Sequence, residues 1–379
     1  MKRMGITACG SYDDAEVTRS LERLLAAAGG LEWVEPGMRI AVKTNLLSGS
    51  APDRAVVTHP AVLAALCGML TARGAIVTVG DSPGGPFTEG NLRRVYRLSG
   101  MEQVERAGAR LNMDVGQRDA SFSDGKVLRQ LTCTSWLTDA DAVISCCKLK
   151  THAMMGMSAN VKNLFGAIPG TMKPEYHFRF PDHRDFADML VDINEYLRPR
   201  LYITDAVVGM EGNGPASGTP REIGALLAGT DPYGLDLLCA HIIGLAPGQV
   251  PTIVAAMERG LCGKEPDWPE ISGDPKPFVM KDFQNIRQLR GIEFGDHMPG
   301  WLVPIGRLAL QARPKASRKT CIGCAKCGKV CPAGAIAMVH KYPVIDTEKC
   351  ICCFCCQEFC PEGAMKVHRP LIARIMNPR

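Results

Sequence analysis

The chain has 379 residues, 46% of them hydrophobic, with 39 Gly, 26 Pro and a formal net charge of +5. That composition suits a folded, loop-rich protein with one large core or two smaller ones, and it excludes a disordered chain. Seventeen cysteines in so long a chain point to metal ligation in a reducing compartment rather than to a disulfide framework.

The start, MKRMGITACG, is basic, but no apolar run and no small-residue cleavage site follow it, so the expected compartment is the cytoplasm. Residues 38–45, MRIAVKTN, predict a strand running into Lys43, Thr44 and Asn45. The uncharged stretch 55–72 contains Thr58, His59 and Pro60, the start signals of a helix over 60–73 rather than a membrane span. Residues 75–82, AIVTVGDS, predict a second strand ending in Gly80 and Asp81. DAVISCCKLKTH (141–152) predicts a third, ending in Lys148, Lys150 and His152. A helix over 186–197 leads to a fourth strand in RLYITDAVVGMEGNGP (200–215), which ends in Asp205 and a Gly-rich loop. Strands alternating with helices specify an α/β domain with a largely parallel, or mixed, sheet flanked by helices. Parallel strands are apolar along their length, so the polar residues gathered where they end belong at the carboxyl edge, where open sheets hold ligands.

The densest polar stretch is KLKTHAMMGMSANVKNLFGAIPG, residues 148–170. Lysines and amides near a helix start suit an anion, and a histidine there suits proton transfer. The candidate catalytic residues are therefore His152, His177 and Lys150, and the candidate substrate-binding residues Lys43, Asn45, Asp81, Asn163 and Asp205. The plainer alternative makes Lys148 and Lys162 surface charges and His152 a structural residue. Glu175, His177, Arg179, Asp182 and His183 suggest a lid or a long surface loop. Asp231 and Pro232 predict the N-cap and first position of a further helix. No phosphate-binding G-x-x-x-x-G-K-[ST] occurs, GNGPASG (212–218) fails the dinucleotide spacing, and no C-x3-C-x2-C triplet is present. Cys146 and Cys147, adjacent on a strand, are expected on opposite faces.

Ten of the cysteines fall between 321 and 360, and residues 301–379 carry 13 Lys and Arg against 4 Asp and Glu. These shifts divide the chain into an α/β domain (1–298), an arm and linker (299–319) and a small α+β ferredoxin-like domain (320–370). The tail repeats itself at a shift of 29 residues: Cys321, Cys324, Cys327 and Cys331 superimpose on Cys350, Cys353, Cys356 and Cys360. Each half has the spacing C-x2-C-x2-C-x3-C-P, in which three thiolates hold one [4Fe-4S] cubane and the fourth reaches to the other. By that register Cys321, Cys324, Cys327 and Cys360 hold one cluster, and Cys350, Cys353, Cys356 and Cys331 the second. Cys352 and Cys355 align with Gly323 and Lys326 and are not expected as ligands. Residues 335–339 and 343–346 predict short strands around the turn HKYP. The basic tail, lacking interleaved aromatics, does not suit nucleic acid but suits an acidic electron donor such as a ferredoxin or flavodoxin. Nothing in the sequence indicates a flavin, although the crevice leaves one open.

IAVKTNL, VTHPAV, IVTVGDSPG, ISCCKLKTH, ANVKNLFGAIPG, EYHFRFPDHRDFADMLVDI, ITDAVVGMEGNGPASGTP and AGTDPYGLDLL together resemble the family called domain of unknown function 362, from roughly residue 5 to 250. The tail resembles members fused to a two-cluster ferredoxin module. The resemblance implies an iron–sulfur protein, without a substrate. It departs at Cys146 and Cys147, where apolar residues and Pro are expected. Two functions fit: a ferredoxin-coupled oxidoreductase with a small substrate at the sheet edge, or an electron carrier or redox sensor whose front domain only docks.

Overall fold

A computed structural model describes residues 3–286 and 312–368. In chain order the strands of the front domain are β1 (Met4–Ala8), β2 (Arg39–Lys43), β3 (Ile76–Gly80), β4 (Arg110–Leu111), β5 (Gln117–Ser121), β6 (Gln130–Thr134), β7 (Ala142–His152), β8 (Gly156–Ser158), β9 (Leu201–Glu211), β10 (Thr219–Gly229) and β11 (Ile271–Ser272). Apart from the hairpin β5–β6 they form one sheet in the order β11-β1-β10-β9-β7-β2-β3-β4, with β8 added to the end of β7.

Its centre is parallel, because a helical crossover separates each successive strand there: β4, β3, β2, β7 and β9 all run one way. The loop 212–218 is too short for a crossover and turns β9 back into antiparallel β10, which β1 then pairs antiparallel. The sheet is therefore mixed at the β10–β1 side, and at the short β8, which pairs antiparallel with the end of β7. All eleven residues of β7 are buried, as a central strand covered on both faces requires. Cys146 packs into the core on one face with Cys67 and Val42, and Cys147 into the core on the other with Leu149 and Ala206.

The helix starts follow local chemistry. His59 caps Pro60–Thr71, its Nδ1 accepting from Ala61 N at 3.2 Å, with Pro60 supplying the fixed φ of the first position. Asp182 caps the next long helix, His183–Leu197, accepting from Arg184 N at 2.7 Å, so that helix begins three residues before the expected 186. The segment 175–183 is not a long irregular loop. It holds the helix Lys173–Arg179, with Tyr176 and His177 buried, because Phe165 and Phe186 give the aromatic and imidazole rings a face to pack on.

The tail contributes β12 (Arg313–Ala316), β13 (Ile336–Val339), β14 (Tyr342–Ile345) and β15 (Met365–His368), with short helices Lys326–Lys329 and Cys355–Glu358. β13 pairs β14 around the expected turn, and β12 pairs β15. The stretch expected as linker thus gives way to strand at Arg313; its boundary at 298/299 lies outside the described residues. The internal repeat is also a backbone repeat: φ is +70° at Gly323 and +54° at Cys352, +60° at Ala325 and +62° at Phe354, +58° at Gly334 and +57° at Gly363.

One half of the tail docks on the front domain. Phe354 is 2% exposed and joins the front domain's core. Gln357 Nε2 donates to Asn213 O, Asn213 Oδ1 and Gly214 O at 3.1, 2.9 and 2.9 Å, and Asn213 Nδ2 donates back to Met365 O at 3.3 Å. Gly84 lets Phe359 close in, since a Cβ there would stand 2.4 Å from its ring. Removing Gln357 strands the buried Gly214 O, at about 1–3 kcal/mol for an unpaired group, and leaves two half-buried acceptors on Asn213 without this donor. Gln357→Ala should therefore speed proteolytic release of the tail while the cluster absorbance stays; an unchanged cleavage rate would mean that this contact does not hold the modules together.

Candidate crevice at the carboxyl edge

The carboxyl ends of β2, β3 and β7 deliver the charged residues that the sequence places after each strand. Lys43, last in β2, lies 2.9 Å from Asp81, just past β3, and both are buried. Gly166 makes the pair possible: a Cβ at that position would fall 2.1 Å from Asp81 Oδ1 and 2.5 Å from Lys43 Nζ. Asp81 also accepts from Leu46 N and Ser82 N, at 2.7 Å each. Lys148 and Asp205 form a second buried pair at 2.6 Å, joined by Tyr12, whose OH donates to Asp205 Oδ1 at 2.9 Å and accepts from Lys148 Nζ at 2.7 Å.

Beyond the second pair the register of β7 on β9 slips, Lys148 facing Asp205 but Lys150 facing Met210. Lys150 consequently reaches a different place, donating to Val56 O at 2.7 Å and lining a cavity of about 60 Å³, several times what one water needs. Asn45, Asp81, His152, Asn163 and His177 line it too, so the structure brings together six of the eight expected site residues of the front domain. Lys43 and Asp205 stand outside the lining, their side chains held in the ion pairs. Lys148 is not a surface charge, and neither is Lys162, which lines the cavity with its Nζ 5.1 Å from the centre of the Phe165 ring.

Burial governs the electrostatics. It brings Lys150 down to about 7, with the Lys162 charge adding to the effect, and Lys173 down to about 7. It holds His152 at about 4 and His177 at about 3, so both rings are neutral near neutral pH. His152 Nδ1 accepts from Met154 N and Met155 N at 3.1 Å each, which puts the proton on Nε2. That Nε2 stands 2.8 Å from Glu358 Oε1, yet neither atom has an aligned hydrogen-bond partner; Asn45 Oδ1 and His177 Nδ1 also lack one. Four buried polar atoms thus look for partners around one small cavity.

Polar residues of this wall that were not expected include Ser82, Lys173, and Cys355 and Glu358 from the tail. Lys173 donates to Ser82 O at 2.6 Å, and no sequence signal marks it. The tail residues had a signal. Within the cysteine runs of the two halves the differences are Gly323/Cys352, Ala325/Phe354, Lys326/Cys355, Gly328/Gln357, Lys329/Glu358 and Val330/Phe359, and Cys352, Phe354, Cys355, Gln357, Glu358 and Phe359 belong to the half that meets the front domain.

The tail's cysteines fit a cluster. Cys321, Cys324, Cys327 and Cys360 line one hollow. Burial, then Cys353, Cys350, Cys331 and Cys327, push the Cys356 thiol up, so cysteines of both halves lie within electrostatic reach of it. Ala335 N donates to Cys331 Sγ and Ala364 N to Cys360 Sγ, at 3.2 Å in both halves, a type of bond that tunes cluster potential. Among the described residues no three His, Cys, Asp or Glu gather as a single ion would need; thiolates on a cubane bind separate irons and stand farther apart.

A family model described as domain of unknown function (DUF362) matches residues 40–241. The chain belongs to the DUF362 family. A 4Fe-4S dicluster domain matches residues 313–361, so a DUF362 domain is fused here to an iron–sulfur module with the capacity for electron transfer. The chain is 35% identical over 304 residues to the thylakoid-associated protein sll1697 of Synechocystis, covering 78% of this chain and 91% of that one. Among solved structures it is similar to a lactate racemase apoprotein from Thermoanaerobacterium thermosaccharolyticum (TM-score 0.42, 13% identity, 64% of this chain and 57% of that one). It is also similar to a protein from Thermotoga maritima (TM-score 0.37, 15% identity, 57% and 55%). Among the described residues of this DUF362 protein no helix is long and apolar enough to cross a membrane.

Breaking a buried ion pair from one side costs about 3–5 kcal/mol, because the other charge stays buried. Lys43→Met should lower unfolding stability by that amount, and Gly166→Ala should reproduce part of the same loss by prising Asp81 from Lys43. A denaturation midpoint unchanged in both would show that the pair does not organise this edge.

Proposed function

We propose that this DUF362 protein is a ferredoxin-coupled oxidoreductase acting on a small substrate in the crevice, with two [4Fe-4S] clusters in its tail. Cys321, Cys324, Cys327 and Cys360 are assigned to one cluster, and Cys350, Cys353, Cys356 and Cys331 to the other. Loaded clusters supply electrons singly. The observation that carries the proposal is the helix Cys355–Glu358: Cys356 stands in the cluster-binding run, while Cys355 and Glu358 line the crevice.

The two halves of the tail differ in a way that supports an inward route. Cys324 is exposed and Ile322 is 64% exposed, whereas Cys353, Cys355 and Cys356 are buried. Lys315, Arg318, Lys319, Lys326, Lys329 and Lys341 are exposed on the same module, a surface that attracts an acidic ferredoxin or flavodoxin. Reduced thiols and such donors are both found in the cytoplasm, the compartment we assign.

In balance, a substrate takes up two electrons and two protons, and two reduced donor proteins each lose one electron. Asn45, Asn163 and Lys150 bind the substrate, with Lys43, Asp81 and Asp205 holding the frame. Lys150, held at about 7, gives the proton, while the neutral His152 donates a hydrogen bond from Nε2 and takes up a proton only as imidazolium, which Glu358 beside it would stabilise; His177 is the second imidazole in the wall.

The test is anaerobic. Reduce the clusters of the full chain, add fractions of a small-metabolite extract from the native host, and follow reoxidation by visible absorbance. One fraction should reoxidise the protein, and His152→Gln and Lys150→Met should slow this by about 10²–10⁴-fold with iron content unchanged. If no fraction acts, the front domain docks partners rather than a substrate. Cys356→Ser should drop the iron content from about eight toward about four per chain; retention of all the iron would overturn the ligand assignment.

A further inference from the structure

Five lysines meet at one sheet edge, and their partners divide them. Lys43 and Lys148 each end on a buried carboxylate, at 2.9 and 2.6 Å. Lys150, Lys162 and Lys173 do not: among the described residues none of the three has an acidic group within ion-pair distance. Lys150 donates only to a backbone carbonyl, Lys173 to Ser82 and its carbonyl, and Lys162 lies over an aromatic ring. The acids in the same wall are Asp81, already on Lys43, and Glu358, against His152. Lys150 is buried and Lys162 and Lys173 are half-buried, and a surplus of cations so far withdrawn from water is costly until an anion joins them.

The rest of the wall decides what kind of anion. Leu46, Leu47, Phe165, Pro174, Pro215 and Phe359 are apolar, useless to a bare inorganic ion but suited to a carbon skeleton. His177, 2% exposed and stacked on Phe186 at 4.4 Å, leaves its Nδ1 without a partner in this wall. We infer that the crevice binds a short-chain organic acid, its carboxylate among Lys150, Lys162 and Lys173 and its carbon chain against Leu46, Phe165 and Phe359. This inference deepens the reading of the crevice as the substrate site and rests on it.

Binding is measured without electrons: the loaded, oxidised full chain is titrated calorimetrically with acetate, malonate and succinate, and with inorganic phosphate for comparison. At least one carboxylate should saturate, and Lys162→Met and Lys173→Met should each weaken it by about tenfold or more, with the cluster absorbance unchanged. Lys162→Arg, which keeps the charge, should bind more tightly than Lys162→Met. Affinity should also rise as pH falls from 8 to 6, because Lys150 and Lys173, held at about 7, take up protons there. The groups facing them are Lys43, Asp81, His152, Lys162, His177, Cys355 and Glu358. The inference is overturned if none of the three carboxylates saturates, if phosphate binds as tightly as the best of them, or if the lysine substitutions leave affinity unchanged. Failure of the oxidoreductase reading looks different: carboxylates bind, yet no metabolite reoxidises the clusters. Should a cationic or neutral fraction reoxidise them instead, the oxidoreductase stands and the acid does not.

Discussion

A buried cation needs an anion, and the carboxyl edge of this sheet has more of the first than of the second. Parallel strands with both faces covered must be apolar until they end, so β2, β3 and β7 release their polar residues at one level. Lys43 with Asp81 and Lys148 with Asp205 close two charge balances inside the domain. Lys150, Lys162 and Lys173 leave a third open around a cavity. The tail partly answers it with Glu358, and its docking turns a hollow in a sheet edge into a crevice with a redox module as one wall.

The duplication inside the tail shows how such a wall arises. Two halves with the same cysteine spacing and the same left-handed backbone positions differ where one meets water and the other meets protein. Lysine and small residues serve the exposed half. Phenylalanine, glutamine and glutamate in the docked half fill the core, satisfy Asn213 and Gly214, and stand against His152. Keeping Phe354 at a positive φ has a steric cost for a non-glycine residue, which its burial in the front domain's core offsets.

The two buried networks have separate jobs. Tyr12, His59, Lys148 and Asp205 form a closed set, with the Tyr12 and His59 rings stacked at 3.6 Å and His59 N donating to Asp205 at 2.9 Å. Every strong group there is matched, as a structural tie requires. Around the cavity, by contrast, Asn45, His152, His177 and Glu358 each keep an unmatched atom.

Much of this was legible in the sequence, for reasons of periodicity. The strands β2, β3, β7 and β9 and the helices after Pro60 and Asp231 follow from apolar runs, caps and prolines, which are local. Cysteine spacing with a repeat of 29 determined the iron–sulfur character, because three ligands of a cubane must come from one short run. The sequence also placed Asn45, Asp81, Lys150, His152, Asn163 and His177 near one edge. It did not separate Asp205 from Lys150, because the register slip of β7 on β9 is a pairing between distant segments. Nor did it find Lys173 or Glu358, which reach the cavity only when a helix packs on Phe165 and when the tail docks. Local chemistry fixes where a charge can stand along the chain; which charges share a cavity is set by packing between residues as far apart as 81, 150 and 358, and only the tertiary structure decides that.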